Sequence, residues 1–495
     1  MAMIACTLNF WAAVTERGGL VVHGDNQRGQ LGIGTRVRTP GPTALGGLGP
    51  IAGDAAAELA GGMAALALLG DDALEAPAAA LEHPFVGKVA MLATGAEYSV
   101  CVTDNGAVWA WGDNSRGQLG ITHTQTPLQL MWGVHLARSE VPLQWAPGLC
   151  NGAPARMVAC GQRHTLVLTR TGEVWACGDG EHGATGSLMG FHNAVRIPVR
   201  IAGLPAGVVF VAANEHVSGA VGADGQVWMW GACDRNQLGF PAAPPHLRRN
   251  PNPTPLGLAA FGGEPVVQLS IGTHHSAAVT QTGALWVWGR NDHGGLGIGD
   301  TASRAIPTLV AAGGAPAWGG SRVLMAACGD YHQLVLTDDG GVWTCGEGDH
   351  GLLGNGNEHD TRVLARLDPV VFGGARIVFV ATGSAAAFAV TEEGLLYFWG
   401  RHWLFLNDPI QDTPTPIAVS LAPGLRIGRS SLIPRWHALV VCMGLHARLG
   451  AHAVHNVLAA VTVEDILQQS VHLDGDLAHM GEGLLRQLAV RRRRN

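Results

Sequence analysis

The sequence predicts an all-β fold assembled from seven repeats, on three observations. Seven β-type runs end on glycine, at Val21–Gly24, Val108–Gly112, Val174–Gly178, Val227–Gly231, Leu285–Gly289, Val342–Gly346 and Leu396–Gly400, and five of them read W-x-W-G or W-x-C-G. Before several of these lies a glycine, a short gap, a histidine and an apolar strand ending in threonine, as at Gly161 to His164, Gly272 to His275 and Gly329 to His332. After them comes a tight turn, Gln30-Leu31-Gly32, Gln118-Leu119-Gly120, Gln237-Leu238-Gly239, Gly295-Leu296-Gly297 or Leu352-Leu353-Gly354. Self-similarity at this spacing marks a repeat architecture before any single residue does.

Each unit reads as strand, strand, turn, strand, turn. The first strands are Val89–Ala93, Arg156–Cys160, Val208–Ala212, Val266–Ser270, Arg322–Ala327, Arg376–Ala381 and Leu425–Gly428. Second strands number eight if Phe10–Thr15 and His437–Val441 both count, so one unit is expected to be shared between the termini. Leu425–Gly428 would then supply the first strand that precedes Phe10, which removes two raw sheet edges. One terminal copy of the second strand is expected to lie outside the ladder.

The intervals between glycine endings place the insertions. The first two intervals run to 88 and 66 residues and the last four to between 53 and 58, so the surplus lies early. The first insertion, about Thr39 to Gly87, holds six acidic residues and no Lys or Arg. Its Asp54, Glu58, Asp71, Asp72 and Glu75 are candidates for contact with a partner, against the plainer reading of an acidic loop. The second, Thr122 to Ala155, carries Trp132 and Trp145, which either pack on their own blade or meet a partner. After residue 450 the spacing turns helical at Val463–Ser470 and Gly483–Val490, and Arg491, Arg492, Arg493 and Arg494 end the chain. Residues 1–450 are thus expected to form the repeat domain and 451–495 a helical extension.

Together, the W-x-W-G ending, the Gly-x-x-His-Thr step and the G-Q-L-G turn resemble the repeat of the regulator of chromosome condensation family along most of the chain. The resemblance implies a seven-bladed β-propeller, closed here by strands from both ends and followed by the short helical tail. It also implies two activities to weigh: nucleotide exchange on a Ran-like small GTPase by one face of the propeller, and chromatin or DNA contact, for which the only basic run is Arg491 to Arg494. The family's plant ultraviolet-B receptors place Trp after the glycine of the histidine step. Here those positions hold Gln162, Glu215, Thr273 or Asp330, which argues against photoreception.

Chemistry is sparse. His164, His216, His275, His332 and His437 are read as one repeated position that ties a strand to a neighbouring turn. Cys160 matches Cys328 and Cys177 matches Cys345, as buried reduced thiols would. No phosphate loop, zinc spacing or nucleophile motif occurs, so no catalytic residue, cofactor or metal is assigned. The net charge is −7, with Lys88 the only lysine, and a nucleic-acid surface is not inferred from it. No stretch reaches bilayer length and the first residues lack a basic start, so an intracellular protein, cytoplasmic or nuclear, is expected. The leading reading is a non-enzymatic scaffold that binds a protein partner through blade loops and insertions.

Overall fold

A computed structural model describes residues 3–7, 10–15, 18–39, 43–45, 87–121, 136–187, 194–240, 249–310, 318, 320–402 and 411–419. Twenty-eight strands form seven four-stranded antiparallel sheets, each built from strands consecutive in the chain. Blade 1 contains Met3–Cys6, Phe10–Val14, Leu20–Gly24 and Thr43–Leu45. Blade 2 contains Val89–Thr94, Tyr98–Thr103, Val108–Asp113 and Arg138–Gln144. Blades 3 to 7 occupy residues 155–200, 208–255, 266–309, 323–366 and 377–418. Helix among the described residues is limited to short 3-10 turns, and none is long and apolar enough to cross a membrane.

First strands of successive blades touch one another all the way round, and the first strand of blade 7 (Ile377–Thr382) touches that of blade 1. They are therefore the inner wall, and fourth strands form the outer rim. The rim strands carry Pro142, Pro198, Pro253, Pro307 and Pro416 at one equivalent position in blades 2, 3, 4, 5 and 7. Proline withholds the N–H that a foreign strand would pair with, which is how an edge is kept from aggregating. Blade 6 has Leu364 there instead, and an isolated antiparallel bridge joins its neighbour Val363 to Ile298 of blade 5.

The third-strand tryptophans fill the space between blades. Trp111, Trp230, Trp288 and Trp399 are fully buried, and each indole N–H donates to a backbone carbonyl in the tight turn of the preceding blade: Gln30, Ala184, Gln237 and Leu352, at 2.8 to 2.9 Å. Where the repeat has cysteine, Cys177 and Cys345 point their thiols at Gln118 and Gly295 carbonyls at 3.5 Å. A second-strand hydroxyl shares the acceptor in four blades: Ser99 on Gln30, Thr165 on Gln118, Ser218 on Ala184 and Ser276 on Gln237. The W-G and G-Q-L-G signatures are thus the two halves of one blade-to-blade staple, and the carbonyl's two lone pairs explain how it serves both donors.

The ring closes differently from the expectation. Met3–Cys6 pairs with Phe10–Val14 and so fills the position foreseen for Leu425–Gly428, which lies outside the described residues, as does His437–Val441. Among the described residues blade 1 is complete without a C-terminal strand. Its junction with blade 7 is side-chain packing: Ile4, Trp11, Ala13 and Val21 bury against Phe379, Phe388, Val390, Leu396 and Phe398, with the Trp11 and Phe388 ring centroids 6.0 Å apart.

Candidate protein-interaction face

One face of the ring is made by the turns between first and second strands and by the tight turns that follow third strands. The fourth residue after the third-strand glycine is Arg28, Arg116, His182, Arg235, His293 or His350 in blades 1 to 6. Each occupies the same turn, so these side chains stand in a circle, and most reach onto the next blade. Arg28 pairs with Glu97 at 3.6 Å and Arg116 with Asp179 at 3.6 Å. His182 stacks on His216 with centroids 4.0 Å apart, and Arg235 binds Glu215 of its own blade at 3.0 Å. His293 meets Asp360 at 3.1 Å and His350 meets Asp412 at 3.0 Å. The pairs are largely exposed, where each contributes little to stability, about 0–1 kcal/mol.

Beneath this circle lies the repeated histidine position, and the structure shifts its register in blade 4. His164, His275 and His332 lie opposite the third-strand glycines Gly178, Gly289 and Gly346, but opposite Gly231 stands Val217. His216 is one residue early, level with Arg163, His274 and Tyr331, and belongs to the surface turn rather than to the buried ring. Tyr98 holds the buried position in blade 2, its hydroxyl donating to the His164 carbonyl at 2.5 Å. His164 Nε2 meets Ser218 Oγ at 2.8 Å and His332 Nε2 meets Thr382 Oγ1 at 2.5 Å, so two of the buried imidazoles do tie a strand to the neighbouring blade. Burial pulls their pKa values down, to about 3 for His164 and His332 and about 4 for His275. They stay neutral near neutral pH.

Among the described residues no group of three His, Cys, Asp or Glu could hold a metal ion. The eight cysteines among the described residues are free, seven of them buried, and burial pushes Cys160 and Cys328 up to about 12, far from a reactive thiolate. Trp145 is buried with its indole N–H on the Leu119 carbonyl at 2.6 Å. Packing on the blade therefore holds for Trp145, and its ring is not available to a partner. Trp132, the acidic residues Asp54, Glu58, Asp71, Asp72 and Glu75, and Arg491 to Arg494 lie outside the described residues. Sequence reasoning missed the circle of arginine and histidine turn residues, although counting four residues on from each third-strand glycine reveals it.

A family model for the RCC1-like domain matches residues 1–323, and one for the regulator of chromosome condensation (RCC1) repeat matches residues 326–352. The chain is 31% identical over 312 residues to the E3 ubiquitin-protein ligase HERC2 of Homo sapiens, an alignment covering 62% of this chain and 6% of that protein. It is 34% identical over 283 residues to the secretion-regulating guanine nucleotide exchange factor of Mus musculus, covering 54% of each. Among solved structures, human WBSCR16 superposes with a TM-score of 0.63 at 21% identity, over 81% of this chain and 94% of that one, a likeness that speaks for the fold alone. The chain matches only a small part of HERC2's length and about half of the exchange factor's. Seven stapled blades and a family match over residues 1–323 lead to one assignment: the chain belongs to the RCC1-like domain family.

Proposed function

We propose that the chain is a non-enzymatic interaction scaffold, acting inside the cell, that binds a protein partner through the turn face. The observation that carries this reading is the circle at Arg28, Arg116, His182, Arg235, His293 and His350, charged or titratable side chains held at fixed spacing by a stapled ring. Such a frame lets turns vary while their positions stay rigid. The acidic insertion and Trp132 add recognition elements of the same kind. Affinity purification of the full chain from its native cells, followed by mass spectrometry, tests this. The insertion is tested by deleting residues 46–86, a cut that spares the blade 1 strand Thr43–Leu45. A partner retained in full after that deletion removes the insertion from the binding surface.

A second reading is nucleotide exchange on a small GTPase, favoured by the likeness to the secretion-regulating exchange factor. Exchange needs no covalent chemistry from the propeller, so the lack of a nucleophile does not count against it. Release of labelled GDP from a panel of purified GTPases decides the matter, and unaccelerated release across the panel rejects it.

A further inference from the structure

The surface is electrically lopsided in a way the net charge conceals. Among the described residues before Val266 there are twelve acidic side chains against thirteen basic, whereas from Val266 onward, through blades 5 to 7, there are thirteen against seven. Exposed large apolar side chains share that bias: of nine, seven lie between Ile306 and Ile417. The two features coincide on the outer rim of blades 5 and 6. Ile306 and Val363 take the same rim position in the two blades, 54% and 38% exposed, where blades 4 and 7 carry Asn252 and Thr415. Ile197 of blade 3 matches them at 51%, so what sets blades 5 and 6 apart is that two such residues stand on adjacent blades beside carboxylates.

Blade 5 crosses onto blade 6 at this point. Ile298 bridges to Val363, and the Gly299 N–H donates to the Arg362 carbonyl at 2.9 Å, so Ile298 and Val363 form a strip across the junction, with Ile306 at the matching rim position of blade 5. Carboxylates border it: Asp300, paired with Arg304 at 2.6 Å; Asp360, paired with His293; and Glu358, exposed and in no ion pair among the described residues, against the exposed cation Arg362 beside Val363.

We propose that the rim strip of blades 5 and 6 docks a basic, amphipathic segment of a protein partner, its aliphatic side chains against Ile306, Ile298 and Val363 and its cationic ones against Asp300, Glu358 and Asp360. This rests on the scaffold reading and adds to its turn face a second contact surface on the rim, with a partner chemistry. Apolar contact supplies the burial, while complementary charge raises the association rate and makes binding salt-sensitive.

The test uses the full chain and a fluorescein-labelled peptide of alternating Arg and Leu, with Arg/Ser and Glu/Leu counterparts, read by fluorescence anisotropy. Expected is binding of the Arg/Leu peptide alone, weakened about fivefold by Glu358→Lys and by the pair Ile306→Ser and Val363→Ser, with each exposed contact contributing roughly 1 kcal/mol. Asp224→Lys, an exposed reversal on blade 4, should leave binding unchanged. Glu358 makes no described contact, so its reversal tests the strip without risk to folding. Equal binding of the Arg/Ser peptide, equal loss in Asp224→Lys, or no binding of any peptide overturns the assignment. If native partners still copurify with these rim variants, the strip is wrong while the scaffold reading stands. If the wild-type chain retains none, the scaffold reading itself fails.

Discussion

Three neutral histidines inside the ring make the stability of this propeller fall as acid is added. In the unfolded chain a histidine titrates near 6.5, whereas in the fold His164 and His332 are pulled to about 3 and His275 to about 4 by burial. The folded state therefore binds fewer protons, so the stability is fully present above about pH 6.5 and is lost as pH falls below it, down to the folded values. Between pH 7.5 and 5.5 each such histidine costs about 1.3 kcal/mol, and the three together about 4 kcal/mol, a sizeable share of a typical domain's 5–15 kcal/mol. His275→Phe isolates one of them. Blade 1 already carries Phe10 at this position, and Nε2 of His275 has no partner among the described residues, so the imidazole gives up only its bond to the Asp330 backbone. Urea unfolding followed by tryptophan fluorescence at the two pH values should show the variant losing about 1.3 kcal/mol less than the wild type. An identical loss in both proteins would refute the idea that this buried imidazole senses acid.

Three further outcomes follow from the packing. Trp288→Phe removes one donor from the Gln237 carbonyl while Ser276 keeps the other, so a loss of about 1–2 kcal/mol is expected in denaturant midpoints, against about 3–5 for Trp288→Ala. Leu364→Pro gives blade 6 the rim proline of blades 2 to 5 and 7 and withdraws the N–H beside the Ile298 to Val363 bridge. Faster hydrogen exchange at Gly299 with about 1 kcal/mol or less of global destabilisation is expected, and unchanged exchange would mean that the bridge needs no N–H there. Gly329→Ala places a methyl 2.4 Å from His332 Cε1 and 2.9 Å from the Gly383 carbonyl, and should cost about 1–3 kcal/mol by calorimetry, whereas Gly263→Ser, in open space though at positive φ, should cost less.

The blades were legible because their signature residues are structural parts that cannot be moved: a tryptophan before Gly231 is useful only if a carbonyl waits in the turn before it. The ring's beginning was less legible. Met3–Cys6 is a short run of small and apolar residues, and Thr7-Leu8-Asn9 follows it where a Gly-x-x-His step would have announced a first strand. Blade 4 misled in a second way, since Asn214 replaces the glycine that sets the register, and His216 then draws the eye one residue too far. In the sequence Trp145 stands open between packing and partner contact because it sits in an insertion, and the strand Arg138–Gln144 before it, the blade's own fourth strand, carries it inward. The lopsided charge needed the blades to be delimited first, because summed over the whole chain it averages away.

Because the junction of blades 1 and 7 shares no strand among the described residues, every sheet is completed within one unbroken stretch of chain. A cut or duplication placed between blades would sever no hydrogen-bonded ladder, only loops and the staples to one neighbour. The ring behaves as a set of cassettes threaded on one backbone, each carrying its half of a plug and socket. A copy can be gained, lost or exchanged provided Trp111, Trp230 or its equivalent still finds a carbonyl ahead of it. The Trp11 and Phe388 junction, which depends on greasy contact rather than a fixed bond pattern, is the place where a changed number of cassettes could be absorbed.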